Sequence, residues 1–302
     1  MNEICEYQAP AQKSYSVPGH IWRAIYPVLI YISVSSLVSG IAGGIYAFNL
    51  IMESGGSIPD MASFTEQIMQ WTMEHALLFT LLGNICCLAP FIPLWIKTRN
   101  TAPLYQIEPS PIRVAAYTVA AFMGLNFIIS IIIGLSGLEK YFSYEIVEQI
   151  ISSGNAMVRI LTIVVAAPVI EELCFRGIIL NRLLSWLPLW LAVVIQALLF
   201  GIAHLNPVQG LYTFVIGLAL GWLFIRYRKL WLCMAGHFAF NLPSTLGSLM
   251  DEGVSNILLG SILLPVFILC AAGIYLLLKH PAAQPVEVTQ PAQPDQTSEI
   301  EL

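Results

Sequence analysis

Long apolar runs separated by short polar turns divide this chain, and the pattern predicts eight membrane-spanning helices. The predicted spans cover residues 24–50, 76–96, 112–135, 157–184, 188–204, 208–226, 230–249 and 257–279. Each is close to the roughly 20 residues that a helix needs to cross a hydrocarbon core, where a helix satisfies its own backbone hydrogen bonds. The predicted fold class is therefore all-α, a polytopic α-helical membrane protein.

The composition of the whole chain agrees with this prediction. Of 302 residues, 57% are hydrophobic and only 10% are charged. The net charge of -5 comes largely from acidic residues in loops and in the tail, and no basic tract typical of nucleic-acid binding is present. Membrane lipids are therefore expected partners, and nucleic acid is not.

One helical transmembrane domain, residues 24–279, accounts for most of the chain. Residues 1–23 form a cytoplasmic N-terminal segment, and residues 280–302 form a cytoplasmic tail with too little apolar surface to fold. With both termini in the cytoplasm, ten Lys and Arg residues face inside, and only Lys140 and Arg159 face outside. The positive-inside rule therefore predicts this orientation. The compactness of the chain indicates a prokaryotic cell membrane.

Two segments on the predicted outer side, residues 64–75 and 141–152, carry apolar residues at roughly helical spacing among acidic ones. Such segments either lie in the membrane interface as short amphipathic helices or form structured loops. The spacing alone does not decide between these alternatives.

Three charged residues interrupt the middle of the predicted span at residues 157–184. Glu171, Glu172 and Arg176 lie in a stretch, residues 166–180, that is otherwise apolar enough to cross a bilayer. Insertion scales give a cost of about 2.5–3.5 kcal/mol for Asp, Lys or Arg at the bilayer centre, so such residues face a protein interior, a partner, a metal or water. The sequence therefore predicts a functional site inside the helix bundle.

Polar residues at helical spacing recur in the second half of the chain. Three pairs are each four residues apart: Glu172 and Arg176, Phe200 and His204, and His237 and Asn241. Residues four apart share one helix face, so each helix can present its pair to a common interior. A rise of about 1.5 Å per residue places Glu172 and His204 at similar depths, and His237 nearer the cytoplasmic edge.

These residue types have the chemistry of a hydrolytic site. A carboxylate and imidazoles in a dry pocket can bind a divalent metal and leave one position for water. A second carboxylate can take a proton from that water as general base. Histidine and asparagine side chains can donate hydrogen bonds to the oxyanion of a tetrahedral intermediate.

Each member of the group also has a purely structural interpretation. Glu172 with Arg176 can be an ion pair that fixes helix packing, either histidine can be a hydrogen-bonded packing residue, and Asn241 can hold two helices together. A serine or cysteine nucleophile fits less well, because no G-x-S-x-G elbow is present and Cys174 lies among apolar neighbours, where it is expected to be inert.

The ordered motifs resemble those of the CPBP intramembrane proteases, which include the CAAX prenyl endopeptidases and the Abi-like bacteriocin-processing or self-immunity membrane proteins. That family's pattern is E-E-x-x-x-R, then F-x-x-x-H, then H-x-x-x-N or H-x-x-x-D, on successive membrane helices. The resemblance covers roughly residues 157–250. Its motif positions are occupied here by Glu171, Glu172, Arg176, Phe200, His204, His237 and Asn241.

The resemblance implies a role for each polar residue. Glu171 would activate the attacking water, helped by His204. His237 and Asn241 would stabilise the oxyanion or take part in metal binding, and the second glutamate and the arginine of the first motif would organise the site. The predicted catalytic set is Glu171, Glu172, Arg176, His204, His237 and Asn241.

The identity of a cofactor is left open by the sequence. Two histidines and two carboxylates that converge in a low-dielectric pocket are costly without a cation, which favours zinc bound by Glu172, His204 and His237. The alternative is a metal-free mechanism in which a glutamate activates water.

The leading prediction is a membrane-embedded metalloendopeptidase of the CAAX prenyl protease type, which hydrolyses a peptide bond of a membrane-associated or prenylated peptide or protein. The expected partner is a peptide or protein substrate, lipidated or not. One alternative is a non-catalytic membrane scaffold or bacteriocin-immunity protein that binds a partner in the same pocket. Another is a transporter with a carboxylate proton relay, against which the lack of clear inverted repeats weighs.

Overall fold

The computed structural model is built mainly of helices and describes residues 15–56, 60–99, 105–106, 111–140, 144–250, 252–280 and 284–285. The α-helices are α1 (Val17–Glu53), α2 (Met61–Glu74), α3 (Ala76–Arg99), α4 (Pro111–Ser136), α5 (Tyr144–Ser152), α6 (Ala156–Arg159), α7 (Ala167–Glu172), α8 (Asn181–Leu183), α9 (Leu189–Ala203), α10 (Pro207–Tyr227), α11 (Leu230–Gly247) and α12 (Glu252–Lys279). Two short strands, Tyr105–Gln106 and Gln284–Pro285, pair antiparallel. The predicted all-α class is confirmed.

Each of the eight predicted spans is helical in the structure. The largest difference lies at the first span, because α1 begins at Val17 and not near residue 24. Pro18 is compatible with this earlier start, since a proline in the first helical turn lacks only an N–H that has no helical partner. Residues 17–23, which the sequence assigned to the cytoplasmic N-terminal segment, therefore belong to α1. Residues 1–14 and 286–302 lie outside the described residues.

The longest helices have the length and composition of membrane spans. Among the residues that the structure describes, four helices are long and apolar enough to cross a membrane: Val17–Glu53, Ala76–Thr98, Ile112–Ser136 and Pro207–Tyr227. Leu189–Ala203 and Pro265–Lys279 are shorter apolar helices. Large apolar side chains such as Ile41 and Phe48 of α1 are exposed on the outside of the bundle, where lipid can cover them. The orientation with both termini in the cytoplasm stays a prediction.

The predicted span at residues 157–184 forms one continuous helical run, called the site helix below (residues 156–183). In it, α6, α7 and α8 are joined by two π-helical segments, Ile160–Ala166 and Leu173–Leu180. The two adjacent glutamates lie at the end of α7, directly before the second π segment. Such π segments within α-helices are rare and are frequent at functional sites.

The site helix lies in the middle of the bundle, where every residue from 170 to 183 is buried. It packs against α1, α3, α9 and α11. On one side of the bundle, α4 packs against both α11 and α12. The contact of α4 with α12 requires a glycine, because a Cβ on Gly124 would lie 2.0 Å from Cβ of Cys270. Close backbone approach of this kind is typical of helix packing in membranes.

Both outer segments whose conformation the sequence left open contain helices. They form α2 and α5, so the helical alternative is confirmed for both. In α5, Glu145 and Glu148 are exposed, whereas Val147 and Ile151 are half-buried against the bundle. Their position in a membrane interface stays a prediction.

Asp60 caps the start of α2, and this cap depends on pH. Its carboxylate accepts hydrogen bonds from the backbone N–H groups of Ser63 (3.0 Å) and Ala62 (3.2 Å). These two bonds, that of Ser63 first, lower the pKa of Asp60 from its ordinary value of 3.8. A depressed folded-state pKa means that the cap stabilises α2 above the unfolded-state pKa and is lost as the pH falls through the folded-state value.

We therefore expect the amides of Ala62 and Ser63 to keep their protection from hydrogen exchange down to about pH 4 and to lose it in stronger acid. The measurement is amide exchange, corrected for its intrinsic pH dependence. Asp60→Ala should remove this protection at neutral pH. Equal protection in the variant and the native protein at neutral pH would contradict the prediction.

Candidate functional site

Glu172 is the centre of a buried network. Its Oε1 accepts a hydrogen bond from Nη1 of Arg176 at 2.7 Å and lies 2.9 Å from Nδ1 of His237. Glu172 and Arg176 are completely buried, and His237 is 4% exposed. Because a carboxylate only accepts hydrogen bonds, Nδ1 of His237 carries the proton in this contact. The arginine compensates a charge that would otherwise be strongly unfavourable in the interior.

Arg176 is held by two other helices. Its Nη2 donates to the carbonyl oxygen of Gly217 in α10 at 3.3 Å, and its guanidinium lies over the ring of Phe200 in α9, 4.7 Å from the centroid. Nε2 of Gln196, also in α9, donates to the same Gly217 oxygen at 2.8 Å. The arginine therefore ties the site helix to α9 and α10 as well as neutralising the glutamate.

Glu171 has different surroundings from its neighbour. Its Oε1 accepts a hydrogen bond from the hydroxyl of Tyr31 at 3.2 Å, and its Oε2 lies 3.7 Å from Nε2 of His237. A separation of 3.7 Å is too long for a direct hydrogen bond. Since the Nδ1 proton of His237 points at Glu172, Nε2 binds a proton only when the imidazole is charged. His237 thus lies between the two glutamates and can exchange a proton on the Glu171 side.

Phe200 contacts both histidines of the site. Its ring makes edge-to-face contacts with the imidazoles of His204, at 5.0 Å, and of His237, at 5.8 Å. His204 follows the last residue of α9, and its Nδ1 lies 2.9 Å from the carbonyl oxygen of Phe200. This leaves Nε2 of His204 for other partners. No hydrogen bond joins His204 to either glutamate among the residues that the structure describes.

Asn241 binds the backbone of the site helix at its first π segment. In this segment the N–H of Ala167 donates to the carbonyl of Thr162, five residues earlier. The next residue, Pro168, would donate to Ile163 in the same pattern, but proline has no N–H. Nδ2 of Asn241 donates to this Ile163 oxygen at 2.8 Å and so supplies the partner that Pro168 cannot. The helix-linking interpretation of Asn241 is therefore seen directly.

A cavity of about 200 Å³ adjoins Asn241, between α4, α5, α10 and α11. Among the described residues, no Asp, Glu, Lys or Arg side chain lines it. Its polar lining residues are Asn126, Ser130, Tyr144, Tyr212, Asn241, Ser244 and Thr245. A second, more open space of about 410 Å³ contains His204 and lies between α5 and the turn from α9 to α10. Ile151 of α5 lines both spaces, so α5 lies between them.

The three predicted zinc ligands do not form a metal-binding group in this arrangement. Among the described residues, no three His, Cys, Asp or Glu side chains are placed to hold a metal ion together. Glu172 and His237 are bonded to each other, and His204 bonds its own helix through Nδ1. The donor set therefore does not fit a three-ligand zinc site as it stands, and zinc stays a prediction from the sequence.

Comparison with known families bears on the site helix and the helices that follow it. Residues 153–243 match the family model described as type II CAAX prenyl endopeptidase Rce1-like. The family resemblance is confirmed. This Rce1-like segment contains the whole predicted catalytic set, and its family is one of proteases. No curated protein and no solved structure matches the chain. Together with its apolar helices, the Rce1-like segment identifies an integral membrane protein.

Two residues of the site were missed by the sequence interpretation. Gln196 had a detectable signal, since it is a polar residue in the middle of an apolar predicted span, and it is completely buried against Gly217. Tyr31 had none, because a tyrosine in an apolar helix is unremarkable and Tyr31 lies outside the Rce1-like segment. Its partner, Glu171, is 140 residues away in the chain.

Proposed function

We propose that the protein is an intramembrane endopeptidase that hydrolyses a peptide bond of a membrane-associated or prenylated peptide or protein. The observation that supports this most directly is the difference between two adjacent buried glutamates. Glu172 is bonded to Arg176, whereas Glu171 has a tyrosine hydroxyl on one oxygen and His237 near the other. Glu172 is completely buried, whereas Glu171 is 7% exposed, so Glu171 is the glutamate that can contact a water molecule. The Rce1-like match agrees with a protease.

In the proposed reaction, Glu171 takes a proton from a water molecule while the water oxygen attacks the carbonyl carbon of the peptide bond. The carbonyl oxygen becomes an oxyanion, which N–H groups of His237 and Asn241 stabilise. The carbon–nitrogen bond then breaks, and the proton moves from Glu171 to the leaving amine. His204, whose Nδ1 bonds the carbonyl oxygen of Phe200, helps to orient the water through Nε2.

His237 meets a specific condition for this role. Its Nδ1 is bonded to Glu172, so it donates to an oxyanion only from a protonated Nε2. The bond to Glu172 fixes the orientation of the imidazole, as an acidic partner does for histidines in other hydrolases. The Glu172–Arg176 pair thereby orients His237 without contacting the substrate.

The cavity beside Asn241 indicates which part of a substrate lies there. It is uncharged, and several hydroxyl and amide groups line it. A charged side chain would lose its hydration there without gaining an ionic partner, whereas a peptide backbone or a neutral side chain can bond to the lining. We propose that this cavity holds the uncharged residues next to the bond that is cleaved.

The experiment that tests the function uses the full-length protein in lipid nanodiscs. The probe is a fluorescence-quenched peptide that ends in a CAAX sequence with a farnesylated cysteine, beside the same peptide without the lipid. We expect cleavage at one bond, identified by mass spectrometry. Cleavage of the farnesylated form alone would establish a lipid requirement. Binding of either peptide without cleavage would overturn the proposal and favour a non-catalytic scaffold.

Zinc and metal-free glutamate catalysis differ in a measurable way. Because the donor groups do not converge, we expect purified protein to contain much less than one zinc per chain and to keep its activity in the presence of a chelator. Metal content by mass spectrometry and the peptide assay check this expectation. Stoichiometric zinc that is lost in His204→Ala would instead establish the site predicted from Glu172, His204 and His237.

A further inference from the structure

Helix α1 contacts the site helix at two separate places. Near one end, Arg182 donates hydrogen bonds to the backbone oxygen of Arg23 at 2.6 Å and to the hydroxyl of Tyr26 at 2.7 Å. Farther along α1, the hydroxyl of Tyr31 donates to Oε1 of Glu171 at 3.2 Å. The first contact joins two helices, and the second reaches the group that the proposed reaction uses as its base.

We propose that Tyr31 is a positioning residue for Glu171, an inference that rests on the proposed function. The terminal torsion of a glutamate side chain is broad, so an unbound carboxylate can rotate and present either oxygen. A donor fixed on Oε1 removes this freedom. It leaves Oε2, the oxygen nearer Nε2 of His237, directed toward the position where water is activated.

The placement of Tyr31 favours this role over simple packing. Helix α1 is already joined to the site helix by Arg182, and it packs along α3. Loss of the Tyr31 hydroxyl would therefore leave α1 in place. What it would remove is the donor on Oε1 of Glu171, and catalytic geometry is sensitive to errors of less than 1 Å.

The inference extends the site beyond the Rce1-like segment. Residues 153–243 contain the base, the histidines and the ion pair, but the donor that orients the base comes from α1. An active arrangement of the site therefore requires the first transmembrane helix.

The test compares Tyr31→Phe with Tyr26→Phe in the full-length protein, with the farnesylated CAAX peptide as the probe. Both variants remove one hydroxyl from α1, and each loses one contact with the site helix. For Tyr31→Phe we expect kcat to fall about tenfold, with KM and the thermal midpoint nearly unchanged, because only the orientation of the base is lost. For Tyr26→Phe we expect kcat within about twofold of the native value.

A second measurement separates positioning from structure. In a Glu171→Gln background, Tyr31→Phe should cause no further loss of the residual rate, because the group that it orients no longer accepts a proton. An additional tenfold loss in that background would overturn the proposal. So would equal losses of kcat in the two tyrosine variants together with lowered thermal midpoints, since this result would show a structural role.

The failure of this proposal can be told apart from the failure of the proposed function. Native kcat in Tyr31→Phe, together with an inactive Glu171→Gln, would overturn the role of Tyr31 and leave the peptidase proposal intact. Full activity in Glu171→Gln would overturn the peptidase mechanism, and the role of Tyr31 with it.

Discussion

Replacement of Glu171 by Gln is expected to lower kcat for cleavage of the farnesylated CAAX peptide by about 10²–10⁴-fold, the range typical of a lost general base. Glutamine has nearly the same size, and its amide oxygen can still accept the hydrogen bond from Tyr31. An amide cannot take a proton from water, so the chemical step loses its base while the packing around the site is kept. The measurement is kcat and KM in nanodiscs, with the thermal midpoint of the same preparation.

The matched control for this prediction is Glu148→Gln. Glu148 lies on the exposed face of α5. Its replacement by Gln removes the same negative charge as Glu171→Gln does, but outside the site. We expect its kcat within about twofold of the native protein. If Glu171→Gln cleaves the peptide as fast as Glu148→Gln does, Glu171 is not the base.

Replacement of Arg176 by Met is expected to lower the free energy of unfolding by about 3–5 kcal/mol and to abolish most activity. Arg176 is completely buried and bonds Oε1 of Glu172 at 2.7 Å. Methionine fills much of the same space but leaves the carboxylate in the interior without its cation. The cost arises from this uncompensated charge and is accompanied by loss of the support that Glu172 gives to His237.

The double variant Glu172→Gln with Arg176→Met separates the two causes. Because both charges are removed together, we expect it to recover much of the stability that Arg176→Met loses but little of the activity. Arg113→Met, at an exposed position of α4, should change stability by less than about 0.5 kcal/mol. Reversible unfolding in mixed micelles gives the free energies. Equal stability of the single and double variants would contradict the ion-pair explanation.

The spans and the motif positions could be predicted because each depends on nearby residues. Apolar runs of sufficient length become helices in a membrane whatever their partners, and every predicted span is helical in the structure. The same reasoning identified Glu171, Glu172 and Arg176, since the cost of charge in an apolar span is a local property. The match of residues 153–243 to a protease family agrees with that interpretation.

The details of the helix that carries the glutamates were less predictable. Its π segments follow from a shift of one residue in backbone hydrogen bonding, and Pro168 shows only that one donor is missing. Asn241 replaces this donor at the carbonyl oxygen of Ile163. Whether it can do so depends on how α11 crosses the site helix, which the sequence does not show. Spacing within one helix cannot give the angle or the distance between two helices.

The expected convergence of the two histidines was also a matter of tertiary structure. Equal depth suggested that His204 and Glu172 could meet, whereas no hydrogen bond joins them among the described residues and both imidazoles contact the ring of Phe200. His237, which the sequence placed nearer the membrane edge, is the histidine that contacts Glu172. Depth along a helix gives only one of the three coordinates of a side chain. Contact between two side chains also depends on the lateral positions of their helices.

By itself, the sequence determined a helical membrane protein whose buried polar residues lie on successive spans, because helix length, periodicity and the cost of burying charge act locally. Only the tertiary structure decided that Nδ1 of His237 bonds Glu172, that its Nε2 faces Glu171, and that Tyr31 reaches Glu171 from 140 residues away. The reason is physical: hydrogen bonds act over about 3 Å, so the packing of the helices sets the partners of each side chain.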